Sequence, residues 1–230
     1  MPTFSIATPI LPILLLLLSA APTDASASSQ HSVAPGQYAA LQGQAAGRQV
    51  LALRGGGGAK GLNAFYDLDG TIYDGTMAHC VWHFIWTLPN PAQRVSKALQ
   101  FLVTIPFIGI TAAVHEATAC AALGMVAMRG VSEQDAEIAN HAVSEYLHAR
   151  VYPEVVDHLK AQQKAGKKVA VLSGNLKPLI TRFSRSIGCD TIATDMEVTP
   201  SKVFSGMVQG VVCVEEEKRR RVKCIASRSR

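Results

Sequence analysis

The sequence contains neither a C-x-x-C pair nor a basic stripe with interleaved aromatic residues, and each absence argues against a class of protein. Its five cysteines are odd in number and scattered, which disfavours a disulfide framework and a zinc site. Without a basic stripe, the net charge of +5 does not indicate binding to nucleic acid. Scattered single cysteines favour a reducing compartment, such as a plastid or the cytosolic side of a membrane.

Acidic residues are nearly absent from the first third of the chain, where Asp24 is the only Asp or Glu before Asp67. Residues 28–62 are rich in Ala, Ser, Gly and Gln, and this composition resembles that of a plastid transit peptide. The same composition is typical of a disordered linker, and both interpretations stay open.

Residues 1–27 contain an apolar block at 10–18 and an A-x-A site at 25–27, which predicts a signal peptide, although no Lys or Arg precedes the block. The uncharged run 1–23 is also long enough to span a bilayer, so a retained membrane anchor is the alternative. A signal peptide before a transit-like segment is similar to the two-part targeting of algae with secondary plastids. This layout predicts entry into the secretory route, with a plastid or the endoplasmic reticulum membrane as destination.

Charge is absent from a second region, residues 98–114, and an apolar run resumes at 117–128. Neither run alone reaches the roughly 20 residues that a helix needs to cross a bilayer. Pro106 and Gly109 are expected to kink the first run. Two interpretations remain: buried helices of an inserted cap, or helices that contact a membrane through residues 98–128.

Strand and helix patterns alternate from residue 63 onward. The stretch NAFYDLDG predicts a short buried strand that ends at Asp67 and Asp69, and KKVAVLSGN predicts another that ends at Ser173 and Gly174. Helical patterns separate them, CDTIATDMEVT predicts a third strand, and TPSKVFSGMVQG predicts a hairpin. This order predicts an α/β fold with a parallel sheet, whose ligands bind at the carboxyl ends of the strands.

Two carboxylates and a hydroxyl at neighbouring strand ends suit a phosphate ester. Adjacent strands lie ~4.8 Å apart, so Asp67 could attack phosphorus while Asp69 protonates the leaving oxygen and then activates water. The Ser173 hydroxyl would hold phosphate oxygens together with backbone amides, which are those near Gly70, Thr71 and Gly174. Mg²⁺ and a lysine would be needed to offset the crowded negative charge.

The pair DLDGT and VAVLSGN resembles the motifs of the haloacid dehalogenase (HAD) superfamily of phosphotransferases, from residue 63 to about 223. The insert at about 76–150 resembles the helical cap of subfamily IB, which implies a Rossmann-like parallel sheet with a helical cap insertion. The resemblance makes Asp67 the nucleophile and a Mg²⁺ ligand, and Asp69 the acid/base that also ligates Mg²⁺ through its carbonyl. Ser173 would bind phosphate. Lys218, after FSGMVQGVVC, is the candidate family lysine, with Lys223 second.

The fourth motif of the family, usually G-D-x-x-x-D, does not follow Lys218 in this sequence. It supplies the remaining Mg²⁺ carboxylates on the next strand, so we expect a sheet that lacks the last strand or strands of the family. Weak Mg²⁺ binding is the expected consequence. A truncated or mis-spliced chain and a crippled family member are both compatible with this gap.

The substrate is indicated only indirectly. Gly70 replaces the Ser of D-x-D-S-T, and Thr76 stands where phosphoserine phosphatases carry a cap Glu, which argues against phosphoserine. The cap resembles the HAD-like N-terminal domain of land-plant glycerol-3-phosphate acyltransferases, which implies a lysophosphatidate-like or other small phosphate ester. The sequence therefore predicts a Mg²⁺-dependent phosphomonoester hydrolase. The alternative is a weak or inactive, membrane-associated remnant of such an acyltransferase.

Overall fold

The computed structural model of the chain describes residues 64–228. The predicted signal peptide or anchor at 1–27 and the predicted transit-like or linker segment at 28–62 lie outside the described residues and stay predictions. Five strands and seven helices follow one another as β1 (Ala64–Tyr66), α1 (Met77–Thr87), α2 (Pro91–Val114), α3 (Glu116–Met128), α4 (Glu133–His148), α5 (Pro153–Lys164), β2 (Val169–Leu176), α6 (Lys177–Ser186), β3 (Asp190–Thr194), β4 (Met196–Val198), β5 (Phe204–Val208) and α7 (Glu215–Arg228).

The first three strands form one parallel sheet in the order β1-β2-β3, and this confirms the predicted α/β fold. Tyr66 lies opposite Val171, so the carboxyl ends of β1 and β2 meet at one edge of the sheet. All eight residues of β2 are buried, as expected for a central parallel strand that is covered on both faces.

Side chains that alternate along the strands contact two separate apolar layers. Phe65 and Leu172 pack with Val222 of α7 on one face. Tyr66 and Val171 belong to the larger core on the other face, which also contains the buried residues of α6. The two-residue period of a strand therefore gives a three-layer arrangement in which α7 covers the face opposite the main core.

Four helices, α1 to α4, occupy the predicted cap region between the first two strands of the sheet. The segment that leads into this region and the segment that leads out of it lie next to each other. The Asp74 amide donates to the Arg150 carbonyl and the Tyr152 amide donates to the Ile72 carbonyl, both at 2.9 Å. α4 begins directly after Ser132, whose hydroxyl accepts a hydrogen bond from the Asp135 amide in the first turn of the helix. The cap is thus held to the core at its base.

The structure corrects two expectations about element boundaries. The predicted third strand is two strands, since the chain leaves the parallel sheet at Asp195. Its last part, β4, pairs antiparallel with β5, so the hairpin begins before the stretch TPSKVFSGMVQG in which it was predicted. α2 is longer than the uncharged run suggested, because Asn90 caps the amides of Ala92 and Gln93 and Pro91 occupies the first turn. In the part that the structure describes, α2 is the one helix long and apolar enough to cross a membrane.

The hairpin packs tightly against the end of α3. The amide of Gly130 donates to the Phe204 carbonyl, and the Phe204 amide donates to the Val131 carbonyl, both at 2.9 Å. Gly206 has a φ of +88°, and a Cβ placed on it would lie 2.7 Å from the Cβ of Arg129. A side chain is therefore disfavoured at Gly206 by both backbone conformation and space.

We expect Gly206→Ala to lower the free energy of unfolding by about 1–3 kcal/mol more than Gly210→Ala does. Gly210 has a similar φ of +83° but open space where a Cβ would stand. The Gly210→Ala variant therefore measures the cost of the left-handed backbone conformation without the steric clash. Urea denaturation of both variants measures the difference. Equal losses would show that the hairpin can move away from α3 at little cost.

Candidate active site

A tight turn directly after β1 positions the two acids of DLDGT. Leu68 is fully buried, and its carbonyl accepts hydrogen bonds from the amides of Thr71 at 3.2 Å and Ile72 at 3.0 Å. Gly70 has a φ of +67°, which is in the left-handed region that glycine adopts without strain. The turn therefore needs Gly70, and it presents Asp67 and Asp69 on either side of an anchored leucine.

Asp67 forms an ion pair with Lys218. The Lys218 ammonium lies 2.9 Å from Oδ1 of Asp67, and the Leu68 amide donates to the same oxygen at 2.9 Å. The Asp67 side chain is 39% exposed, so the carboxylate remains open to a ligand. Within residues 64–228, no hydrogen bond engages its Oδ2.

Three side chains lie within hydrogen-bond distance of the Asp69 carboxyl. The Ser173 hydroxyl donates to Oδ2 at 3.0 Å, while the Asn175 side-chain amide and the Tyr73 hydroxyl lie 3.3 and 3.1 Å from Oδ1. Burial, and then the neighbouring charge of Asp67, raise the pKa of Asp69 to about 6, although the three donors act in the opposite direction. A carboxyl with this pKa exchanges protons near neutral pH, as an acid/base group requires.

Tyr73 can keep a hydrogen bond with Asp69 in either charge state of the carboxyl. Its hydroxyl lies 2.7 Å from the Thr76 carbonyl and 3.1 Å from Oδ1 of Asp69, yet it has only one proton to donate. A carbonyl can only accept. When Tyr73 donates to Thr76, the contact with Asp69 is a hydrogen bond only if the Asp69 carboxyl carries the proton and donates it. The network therefore suits both charge states of Asp69.

Thr194 connects the end of β2 to the loop that precedes α7. Its buried hydroxyl donates to the Gly174 carbonyl at 2.8 Å and accepts from the Cys213 amide at 3.1 Å. Arg221 of α7 donates to the Ala193 carbonyl at 2.9 Å and also pairs with Glu217, so the helix is fixed at a second point. These contacts hold Lys218, in the first turn of α7, beside Asp67.

The structure brings four of the predicted site residues together: Asp67, Asp69, Ser173 and Lys218. Lys223, the second lysine candidate, is exposed, so the contact with Asp67 favours Lys218. The catalytic, metal-binding and phosphate-binding roles of these four residues stay predictions, as do the phosphate-binding roles of Gly70, Thr71 and Gly174. The Thr71 amide already donates within the turn.

The strand end at Gly174 has little free space. A Cβ at Gly174 would lie 3.3 Å from Cγ1 of Val214 and 3.8 Å from the sulfur of Cys120 in α3. The cap helix α3 and the loop before α7 therefore close over the end of β2. Glycine permits this close approach because it carries no side chain.

Sequence reasoning missed three residues that organise this site, namely Tyr73, Asn175 and Thr194. Tyr73 and Asn175 lie within or beside the two motifs, and their short separation from the acids and from Ser173 was the available signal. Thr194 carries no comparable signal, because its role depends on two backbone groups that lie about 20 residues away on either side in the sequence.

The raised pKa of Asp69 gives a prediction for stability in the presence of EDTA. The folded chain binds the Asp69 proton more tightly than the unfolded chain, so this contribution is complete below about pH 4 and is lost as pH rises through 6. Asp69→Asn removes the charge, and we expect it to stabilise the protein relative to wild type by about 3 kcal/mol at pH 8 and by little at pH 4.

Urea unfolding at pH 4, 6 and 8 measures this dependence, and Asp157→Asn, which changes an exposed carboxylate on α5, is the matched control. A stability difference for Asp69→Asn that stays constant across the three pH values would contradict the raised pKa.

Comparisons with known proteins agree with the fold and the motifs. Residues 64–229 match the family described as haloacid dehalogenase-like hydrolase. A search of curated proteins gives no significant match. Among solved structures, a protein of unknown function from Bordetella pertussis Tohama I is similar with a TM-score of 0.60 and 16% identity, over 74% of this chain and 75% of that one.

Two further solved structures extend the comparison. A HAD family hydrolase from Salmonella enterica serovar Typhi has a TM-score of 0.53 and 16% identity, over 85% of this chain and 62% of that one. A probable phosphoserine phosphatase from Vibrio cholerae has a TM-score of 0.50 and 18% identity, over 74% of this chain and 47% of its own length. The chain thus spans less than two thirds of these two proteins, and at such identities the likeness concerns the fold alone. The family match over more than half of the sequence shows that the chain belongs to the haloacid dehalogenase-like hydrolase family.

Proposed function

We propose that this protein hydrolyses phosphomonoesters, with Asp67 as the nucleophile. The observation that supports this most directly is that Lys218 contacts Asp67 and Ser173 contacts Asp69 at the carboxyl edge of one parallel sheet. Asp67 is open and charge-paired, whereas Asp69 is enclosed and has a raised pKa. Two neighbouring carboxyls with such different surroundings suit two different roles in one reaction.

The proposed reaction has two steps. In the first, an Asp67 carboxylate oxygen bonds to phosphorus and the bond from phosphorus to the ester oxygen breaks, while Asp69 donates its proton to the departing alcohol. In the second, Asp69 accepts a proton from water as the water oxygen attacks phosphorus, and this releases Asp67 and inorganic phosphate. Lys218 offsets negative charge on the phosphoryl group and on Asp67.

Magnesium belongs to this proposal because its preferred ligands are oxygen atoms and the site offers two carboxyl residues. Asp67 would hold the ion through its carboxylate and Asp69 through its main-chain carbonyl. When bound, Mg²⁺ would supply positive charge against the phosphate oxygens. The part of the chain that the structure describes has no group of three or more His, Cys, Asp or Glu residues that could hold a metal ion, so water and substrate would complete the coordination and affinity would be weak.

We expect Asp67→Asn to lower kcat/KM for p-nitrophenyl phosphate about a thousandfold or more in buffer with Mg²⁺, because Asn lacks the attacking oxygen anion. Chelation by EDTA is expected to lower the wild-type rate as well. Asp157→Asn, on the exposed face of α5, controls for the loss of one carboxylate. Equal turnover by wild type and Asp67→Asn would end the enzyme proposal for this chain.

The lysine assignment has a matched control on the same helix. Lys218→Gln is expected to lower kcat/KM about 100-fold, because it removes the cation that contacts Asp67. Lys223→Gln removes the same charge from an exposed position five residues later, and we expect no change. A larger loss for Lys223→Gln than for Lys218→Gln would reverse the assignment.

The substrate proposed here is a lipid-like phosphate ester such as lysophosphatidate, with another small phosphate ester as the alternative. Support comes from the apolar cap and from its resemblance to the HAD-like N-terminal domain of plant glycerol-3-phosphate acyltransferases. Subfamily IB is proposed on the same ground. Parallel assays with lysophosphatidate, glycerol 3-phosphate and phosphoserine would rank the three classes.

A second candidate function is that of a weak or silent, membrane-associated remnant of such an acyltransferase. The small number of carboxylates around Asp67 favours it, as does the use of Ser173 and Asn175 as donors to Asp69 rather than as open phosphate contacts. The secretory route, with a plastid or the endoplasmic reticulum membrane as destination, stays a prediction from residues 1–62.

A further inference from the structure

One face of α2 exposes large apolar side chains along almost its whole length. The residues of this face, called the α2 stripe below, are 54% or more exposed, and they are Val95, Leu99, Val103, Phe107, Ile110 and Val114. At 100° per residue they fall within an arc of about 120°, and at 1.5 Å per residue they extend over about 28 Å. A continuous apolar surface of this kind marks an interaction site more often than scattered exposed residues do.

The surroundings of the α2 stripe have few free polar groups. The hydroxyls of Thr104 and Thr111 donate back to the carbonyls of Gln100 and Phe107 in the same helix, at 2.6 and 2.9 Å. The one donor proton of each hydroxyl is therefore used inside α2. Between Gln100 and Glu116 the sequence has no charged residue at all.

Basic residues lie near the start of the α2 stripe. From residue 75 to residue 132 the sequence has Arg94, Lys97 and Arg129 and the acid Glu116, and the acids Glu133 and Asp135 follow in the first turn of α4. The Lys97 ammonium donates to the carbonyls of Val126 and Arg129 at 3.0 and 2.8 Å, which brings the start of α2 beside the end of α3. Of these three basic residues, Lys97 is buried and Arg94 donates to the Leu88 carbonyl at 3.2 and 2.7 Å, whereas Arg129 is exposed.

The opposite face of α2 is packed within the cap. Phe101 and Ile108 are buried in the main core, and Lys97 is 4% exposed. α2 therefore lies lengthwise against α3, so it can place only its outer face in an apolar medium. A helix with this division lies in a membrane surface rather than across the membrane.

We propose that the α2 stripe binds the surface of a membrane that contains anionic lipids. The six apolar side chains would enter the boundary of the acyl chains, while Arg129, which is exposed directly after α3, would meet the phosphate headgroups. A protein partner would be expected to find hydrogen-bonding groups around an apolar centre, and the flank of α2 offers few. This inference does not rest on catalysis, and its test measures binding without turnover.

The test uses the full-length chain and a tryptophan reporter in the stripe. Phe107→Trp is mixed with vesicles of phosphatidylcholine and phosphatidylserine that carry brominated acyl chains, which quench tryptophan only at close range. Met207→Trp is the matched control, since Met207 is 61% exposed on the hairpin and Phe107 is 66% exposed. We expect quenching and a blue shift for Phe107→Trp beyond the signal of the native tryptophans, and none for Met207→Trp.

A second pair of variants tests the same surface by flotation. Leu99→Glu, Phe107→Glu and Ile110→Glu together are expected to lower vesicle binding at least tenfold, whereas Ile138→Glu, Met207→Glu and Val211→Glu introduce the same charge elsewhere with no such loss. Arg129→Gln should weaken binding to vesicles with phosphatidylserine about fivefold, in line with the loss of one headgroup contact. Vesicles of phosphatidylcholine alone should bind wild type less well.

Three results would overturn the proposal. Absence of quenching for Phe107→Trp would show that the stripe does not reach lipid, even if the N-terminal segment carries the protein to vesicles. A blue-shifted Phe107→Trp spectrum without vesicles, together with a dimeric mass, would show that a second copy covers the stripe. The same blue shift in a monomer, lost after deletion of residues 10–18, would show that the apolar segment of this chain covers it.

Discussion

Parallel pairing of β1 with β2 is the constraint on which the rest of the site depends. It places the turn after Tyr66 beside the end of β2, so that Asp69 can accept a hydrogen bond from Ser173 more than 100 residues away in the sequence. β1 has only three residues, and its position is fixed by its pairing and by Phe65 and Tyr66, which pack on opposite faces of the sheet. A shift of one residue in this register would exchange the two faces and separate the acids from Ser173.

The second constraint is the repulsion between two carboxylates two residues apart. The structure relieves it by giving the acids different surroundings. Asp67 stays accessible and pairs with the Lys218 ammonium, whereas Asp69 is enclosed and has a raised pKa, with burial and Asp67 both favouring its protonated form. The difference in surroundings that reduces this repulsion also suits the two proposed catalytic roles, in which Asp67 attacks phosphorus and Asp69 transfers protons.

Sequence patterns within short stretches were sufficient to predict the parallel sheet and the main residues of the site. Alternation of strands and helices predicted the parallel sheet, and the polar ends of two buried strands predicted the meeting of Asp67, Asp69 and Ser173. Boundaries were harder, because the start of α2 depends on the Asn90 cap and on polar residues that precede its apolar run.

Hydrogen bonds between distant residues could not be predicted in the same way. The Thr194 hydroxyl joins the Gly174 carbonyl to the Cys213 amide, and no pattern around Thr194 indicates either partner. Tyr73 lies close to Asp69 in sequence, yet the direction of its hydroxyl depends on how the chain enters the cap at Thr76. Such residues are fixed by tertiary packing, which sequence periodicity does not encode.

The cap connects the candidate site with the proposed membrane surface through one helix, α3. Its inner side approaches the site, where Cys120 would lie 3.8 Å from a Cβ at Gly174, and its end is tied to α2 by Lys97. Leu99 and Val103 of the α2 stripe line a groove together with Met125 and Arg129 at the end of α3. If the proposed lipid-like ester enters from the membrane at this surface, α3 is the helix that contacts both α2 and the strand end beside the candidate site.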